Sequence, residues 1–111
     1  MEGLGPAPFA SMWFADMGAE VVTICKGQAH VVRNEKDATK RGKTSLVLDV
    51  KDPGQFNKVK QLIATADILI EGFRPGVMEK LGLGPKDCSN ENEGLVYARM
   101  TGWGQTGPMS Q

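Results

Sequence analysis

Residues 44–73 read TSLVLDVKDPGQFNKVKQLIATADILIEGF, and three signals inside this stretch decide the fold class. The run TSLVLDV, 44–50, has the β-branched and aliphatic composition of a strand. At 52–66 the pattern changes. Asp52 carries an acceptor suited to an N-cap, Pro53 fits the first helical position, where no N–H is needed, and Gln55 stands where a capping box expects it. Phe56, Val59, Leu62 and Ile63 then recur at helical spacing and define a buried face. A third run, from Asp67 to about Glu71, is strand-like again. A strand, a helix and a strand in succession imply a right-handed crossover joining parallel strands.

Upstream, EVVTICK (20–26) is a short continuous apolar run, expected as a strand buried on both sides. The opening MEGLGPAPFASMWFADMGAE predicts a Gly/Pro loop and a helix from about Ala7 to Met17. Phe9, Met12, Trp13, Phe14 and Met17 give it an apolar face, and Gly18 closes it. Downstream, RPGVMEKLGLG predicts a short helix from Pro75 to Leu81, stopped by Gly82 and Gly84. GLVYARM (94–100) is a fourth strand, followed by a loop of Gly102, Gly104, Gly107 and Pro108. The expected architecture is α/β: a Rossmann-like, mostly parallel sheet with flanking helices, in one domain over residues 1–111. In that fold a strand precedes the first Gly-rich turn, whereas here the turn begins at Gly3. The expectation is therefore an incomplete domain, lacking its first strand and its carboxy-terminal remainder.

Among 111 residues, Lys plus Arg and Asp plus Glu are both 13, so the net charge is zero. The positive field expected of a nucleic-acid-binding protein is absent. Cys25 and Cys88 lie far apart without metal-ligand spacing, and the single histidine is His30. Zinc and disulfide scaffolds are not expected, and the cysteines read as reduced and semi-buried. No apolar run reaches the ~18 residues of a membrane span, and neither a cleavable leader nor a peroxisomal tripeptide is present. A soluble chain with no membrane partner is expected.

GLGPAP (3–8) is a poor dinucleotide fingerprint: it lacks the final glycine, and prolines stand where amide donors would be wanted. Lys26 replaces the acidic residue that would hold a ribose, and a cation at a strand end suits a phosphate better. The segment 33–43 carries Arg33, Lys36, Lys40, Arg41 and Lys43, readable as a solvated charge run or as phosphate ligands. In EGFRPG, Arg74 either joins a helix N-terminus in holding an anion or caps a loop carbonyl. His30 has no evident carboxylate partner. Asp49 and Glu71, at strand ends, either face a ligand crevice or bind backbone donors. Walker loops and nucleophile elbows are absent from the sequence.

Together, GPAPFASMWFADMGAEVV, RGKTSLVLDVKDP, ADILIEGFRPGVMEKLGLGP and GLVYARMTGWGQTGP resemble the amino-terminal part of the family III CoA-transferases, most closely their racemase branch acting on α-methylacyl-CoA. The resemblance implies coenzyme A, carried as part of an acyl-CoA thioester substrate, as the ligand of the basic features. Lys26 falls where the family has an arginine against the adenosine part, keeping charge but losing the planar fork. Leu48, Asp49, Val50 and Lys51 match the segment that holds the nucleotide; Gly72, Phe73 and Arg74 match a third segment, and Lys80 a nearby basic position. The family's racemases exchange the proton α to the thioester using a histidine and an aspartate, and its transferases use an aspartate nucleophile. Both sets are expected beyond Gln111, so no catalytic residue is expected within the chain. An interlocked homodimer is the implied full-length assembly. From the residues alone, a non-enzymatic nucleotide-binding module and an NAD-dependent domain remain as rivals.

Overall fold

A computed structural model describes residues 1, 5–27 and 37–110. The first helix, α1 (Pro6–Asp16), starts at Gly5, whose φ of 76° favours glycine, and has Pro6 in its first turn. Strand β1 (Val21–Cys25) follows, then a single 3-10 turn at Ala38–Lys40 and β2 (Lys43–Val47). The longest helix, α2 (Pro53–Thr65), leads to β3 (Ile68–Glu71); the one-turn α3 (Val77–Lys80) and α4 (Pro85–Glu91) lead to β4 (Val96–Arg99). The chain is α/β, with short parallel strands flanked by helices.

The expected cap of α2 is present: Asp52 accepts from Gln55 N at 2.9 Å. The reciprocal half of the box is not, because Gln55 Oε1 accepts instead from Asp49 N at 2.8 Å. That bond ties the helix to the end of β2 rather than to its own cap. Val59 and Ile63 are buried, and Phe56 and Leu62 pack on the same cluster, as their spacing predicts.

All pairing is parallel, but it forms two sheets. β1 pairs with β2 from Val21↔Lys43 to Cys25↔Val47, and β3 pairs with β4 from Ile68↔Val96 to Glu71↔Arg99. The core cluster comprises Ile24, Val59, Ile63, Leu69, Met78, Leu83 and Cys88. Both cysteines are free and buried; burial, with Asp87 and Glu91 nearby, raises the pKa of the Cys88 thiol.

Three expectations need correction. β1 is fully buried only at Ile24 and Cys25, since one of its edges borders no strand. The apolar face of α1 is largely open: Met12 is buried, whereas Phe9, Trp13, Phe14 and Met17 are exposed. The helix expected from Pro75 begins at Val77, because Gly76 adopts a left-handed φ of 81°. α4 was not anticipated. Among the described residues no helix is long and apolar enough to cross a membrane, and no group of His, Cys, Asp and Glu is placed to hold a metal ion.

Candidate functional site

The predicted residues other than Lys80, which ends α3, fall into three segments, each at the carboxyl end of a strand. Lys26 follows β1, residues 48–51 follow β2, and residues 72–74 follow β3. In parallel α/β folds this is the end where ligands meet the backbone. Leu48, Val50 and Phe73 pack on the one core cluster, which anchors the second and third segments to common ground. Gly72 lies against α1 and the start of the last loop: a Cβ built there would stand 3.5 Å from Ala7 Cβ and 3.7 Å from Met100 O.

Hydrogen bonds hold the segments in shape. After β2, Leu48 N donates to Cys25 O at 3.0 Å and Asp52 N to Asp49 O at 3.1 Å. Lys51 N donates to Asp49 Oδ1 at 2.9 Å. After β3, Phe73 N donates to Glu71 Oε2 at 2.8 Å. Asp49 and Glu71 thus bind backbone donors, one of the two roles read for them. The amides of Leu48, Asp49, Lys51, Asp52 and Phe73 are already engaged, so anion binding here falls to side chains more than to a nest of free N–H groups.

Those side chains are cationic. Lys26, Lys51, Arg74 and Lys80 belong to exposed residues, and none is in an ion pair among the described residues. Other cations are tied down. Arg41 grips Asp16 through Nε–Oδ1 at 2.9 Å and Nη2–Oδ2 at 2.6 Å; Lys43 Nζ donates to Pro8 O at 2.9 Å and Ser11 Oγ at 2.7 Å. Both fasten α1 to the entry of β2. They belong to the basic run read as phosphate ligands or solvated charge: Arg41 stays solvent-exposed while it pairs with Asp16, and Lys43 is partly buried. Burial, partly countered by Asp37, lowers the pKa of Lys43. Arg33, Lys36 and His30 lie outside the described residues. Arg74 lacks the helix N-terminus expected beside it, since α3 is a single turn beginning at Val77 and such a turn carries little dipole.

A brace behind the third segment escaped the sequence reading. Glu71 is 1% exposed. It accepts from Arg99 Nε at 2.9 Å, and Arg99 Nη2 reaches Glu79 Oε1 at 2.7 Å. Burial works against the Arg99 charge, but the bonds to Glu71 and Glu79 keep its pKa above the ordinary arginine value. The Arg99 bond holds Glu79 below the usual carboxylate range. Tyr97, under the guanidinium at 5.7 Å, donates to Leu83 O at 2.7 Å; burial and Glu71 push its pKa up. The signal lay in register, since Glu71 and Arg99 are partners across the β3–β4 ladder.

The last loop holds a second missed feature. Gln105 Nε2 is buried without a partner, the single such side-chain atom among the described residues. An orphaned buried donor is costly and asks for an acceptor.

A family model described as CoA-transferase family III matches residues 1–111. The chain is 45% identical over 107 residues to the human alpha-methylacyl-CoA racemase, covering 96% of this chain and 27% of that protein. It is 35% identical over 115 residues to the mouse succinyl-CoA:glutarate CoA-transferase, covering 93% and 26%. The crystal structure of a hypothetical protein from Mycobacterium tuberculosis, Rv3272, superposes with a TM-score of 0.86 at 36% identity, covering 97% of this chain and 33% of the other. The chain spans about a third or less of the length of each.

Proposed function

The chain belongs to CoA-transferase family III, and from that premise we propose that it forms the carrier-binding part of an enzyme acting on coenzyme A thioesters. The observation that supports this most is the set of exposed cations, Lys26, Lys51 and Arg74, one after each of three strands and none in an ion pair among the described residues. The 3′-phosphate and pyrophosphate of coenzyme A are matching anions, with Lys80 a further basic position nearby in sequence. Asp49 and Glu71 act from behind, holding the loops that present the cations.

In the complete subunit the reaction is epimerisation at the α-carbon of a 2-methylacyl-CoA. A base removes the α-proton, the thioester oxygen carries the resulting enolate charge, and an acid returns a proton to the opposite face. The acid and base come from the rest of the subunit. The similarity to the human racemase favours this reading. Transfer of coenzyme A between carboxylic acids, through an aspartyl nucleophile, is the second reading, favoured by the similarity to the glutarate transferase. In either case the assembly is an interlocked homodimer, for which the exposed Phe9, Trp13 and Phe14 on α1 offer apolar surface.

Calorimetric titration tests the carrier reading. Coenzyme A binds, 3′-dephospho-CoA binds more weakly and NAD binds least, while Lys26→Glu weakens coenzyme A by about tenfold or more. Equal affinity for coenzyme A and NAD would contradict it. With a full-length subunit, deuterium uptake at the α-carbon of a 2-methylacyl-CoA without an acceptor acid marks a racemase. Acceptor-dependent exchange of the thioester marks a transferase.

A further inference from the structure

The stretch 71–79 begins at the end of β3 and finishes inside α3, with Arg74 within it and Lys80 immediately after. Both of its ends are acidic, and one side chain from outside the stretch holds them. Arg99, on β4, donates from Nε to Glu71 Oε1 at 2.9 Å and from Nη2 to Glu79 Oε1 at 2.7 Å. The Glu71 side chain is 2% exposed and that of Glu79 is 45% exposed, so the guanidinium runs from the interior to the surface and ties one end of the stretch to the other.

Between those ends the backbone is fixed at short intervals. Phe73 N donates to Glu71 Oε2 at 2.8 Å, Val77 N to Arg74 O at 3.1 Å and Lys80 N to Gly76 O at 3.1 Å. Met78 is fully buried and anchors the far side. Arg74 therefore stands on a turn whose two ends are joined through a single guanidinium.

The same contacts settle the charges. Each carboxylate of the stretch would attract Arg74 or Lys80 if it were unoccupied. Arg99 engages both acids, and neither Arg74 nor Lys80 is in an ion pair among the described residues. A lysine on β4 could not replace it, because a lone ammonium lacks the planar fork that serves two separate partners through Nε and Nη2.

We propose that Arg99 is a positioning residue for coenzyme A: it closes the stretch 71–79 and occupies that stretch's own acids, which keeps Arg74 and Lys80 available to the phosphates of the carrier. The inference rests on the carrier reading above. Arg99, largely buried and engaged by two carboxylates, acts through Glu71 and Glu79 and not by contact with the carrier.

The test is a double-mutant cycle read by calorimetric titration of the full chain with coenzyme A. Arg99→Met weakens binding by about tenfold, and Arg99→Lys recovers only part of that loss. Arg74→Ala weakens binding by about tenfold in the wild-type background and by less than about twofold in the Arg99→Met background. Lys51→Ala, on a segment held by Asp49 instead, costs the same in both. Where Arg99→Met alone does not fold, the Glu71→Gln/Arg99→Met pair leaves no unpaired buried charge and carries the same cycle. Equal losses for Arg74→Ala in the two backgrounds overturn the inference and leave the carrier reading standing. Parallel weakening of the Arg74 and Lys51 effects marks general loosening of the fold and also overturns it. A folded wild-type chain that ignores coenzyme A overturns the carrier reading itself, and the inference with it.

Discussion

The two halves of the chain use similar sequence to different ends. Residues 53–100 supply six of the seven residues of the buried cluster, and the first half adds only Ile24. Helix α2 buries the face its spacing advertises, while α1, with larger apolar side chains, leaves Trp13 63% and Met17 76% exposed. The second half packs its own core: α2 and α4 lie over it and Arg99 pins three acidic and aromatic neighbours. Both halves leave a strand edge without a partner strand, but the first also has an uncovered helix face. An apolar pattern tells which face seeks cover; it does not tell whether the cover is in the same stretch of chain.

Truncation of core residues breaks the comparison most directly. Met78→Ala, at a fully buried side chain, is expected to cost about 3–4 kcal/mol, and Trp13→Ala less than about 0.5 kcal/mol, both read from urea midpoints. Similar losses at the two sites would mean that α1 is as well covered as α2. Next is the brace: Arg99→Met leaves Glu71 buried and charged without its partner and should cost about 3 kcal/mol. Gly84→Ala follows, at about 1–3 kcal/mol, since a Cβ there meets Glu79 Cγ at 2.8 Å and Glu79 Cα at 3.2 Å.

The smallest effect is the pH dependence of Glu79. Its folded pKa lies below the ordinary 4.5 because Arg99 binds it, so the unfolded chain takes up the proton first as pH falls. Its contribution is complete above the ordinary value and disappears as pH falls through the lower, folded one. Glu79→Gln should flatten that acid limb of the stability profile by lowering stability slightly at neutral pH while leaving the most acidic end nearly unchanged.

Much of this was legible in sequence for local reasons. The Asp52–Pro53 start, the helical spacing through Ile63 and the strand runs are set by nearest neighbours, and the parallel pairing follows from their alternation. What was not legible depends on contacts between distant residues. Gln55 chose Asp49 over its own cap, and Arg41 and Lys43 bind distant groups of α1, which no spacing could announce. α4 escaped because it is short and buries only Cys88, too little for a period. Pro85 at its start and Asp87, which accepts from Gly84 N at 3.1 Å, were the available signs. Of the candidate site, sequence found the strand-end segments but not the Glu71–Arg99–Glu79 support.

The measurement closest to the central claim is a heteronuclear NMR titration of the folded chain with coenzyme A. The account predicts saturable shifts at Lys26, at residues 48–51 and at residues 72–74, reduced with 3′-dephospho-CoA and lost with Lys26→Glu. A well-dispersed spectrum that stays unmoved at millimolar coenzyme A, or shifts confined to the exposed face of α1, would contradict it.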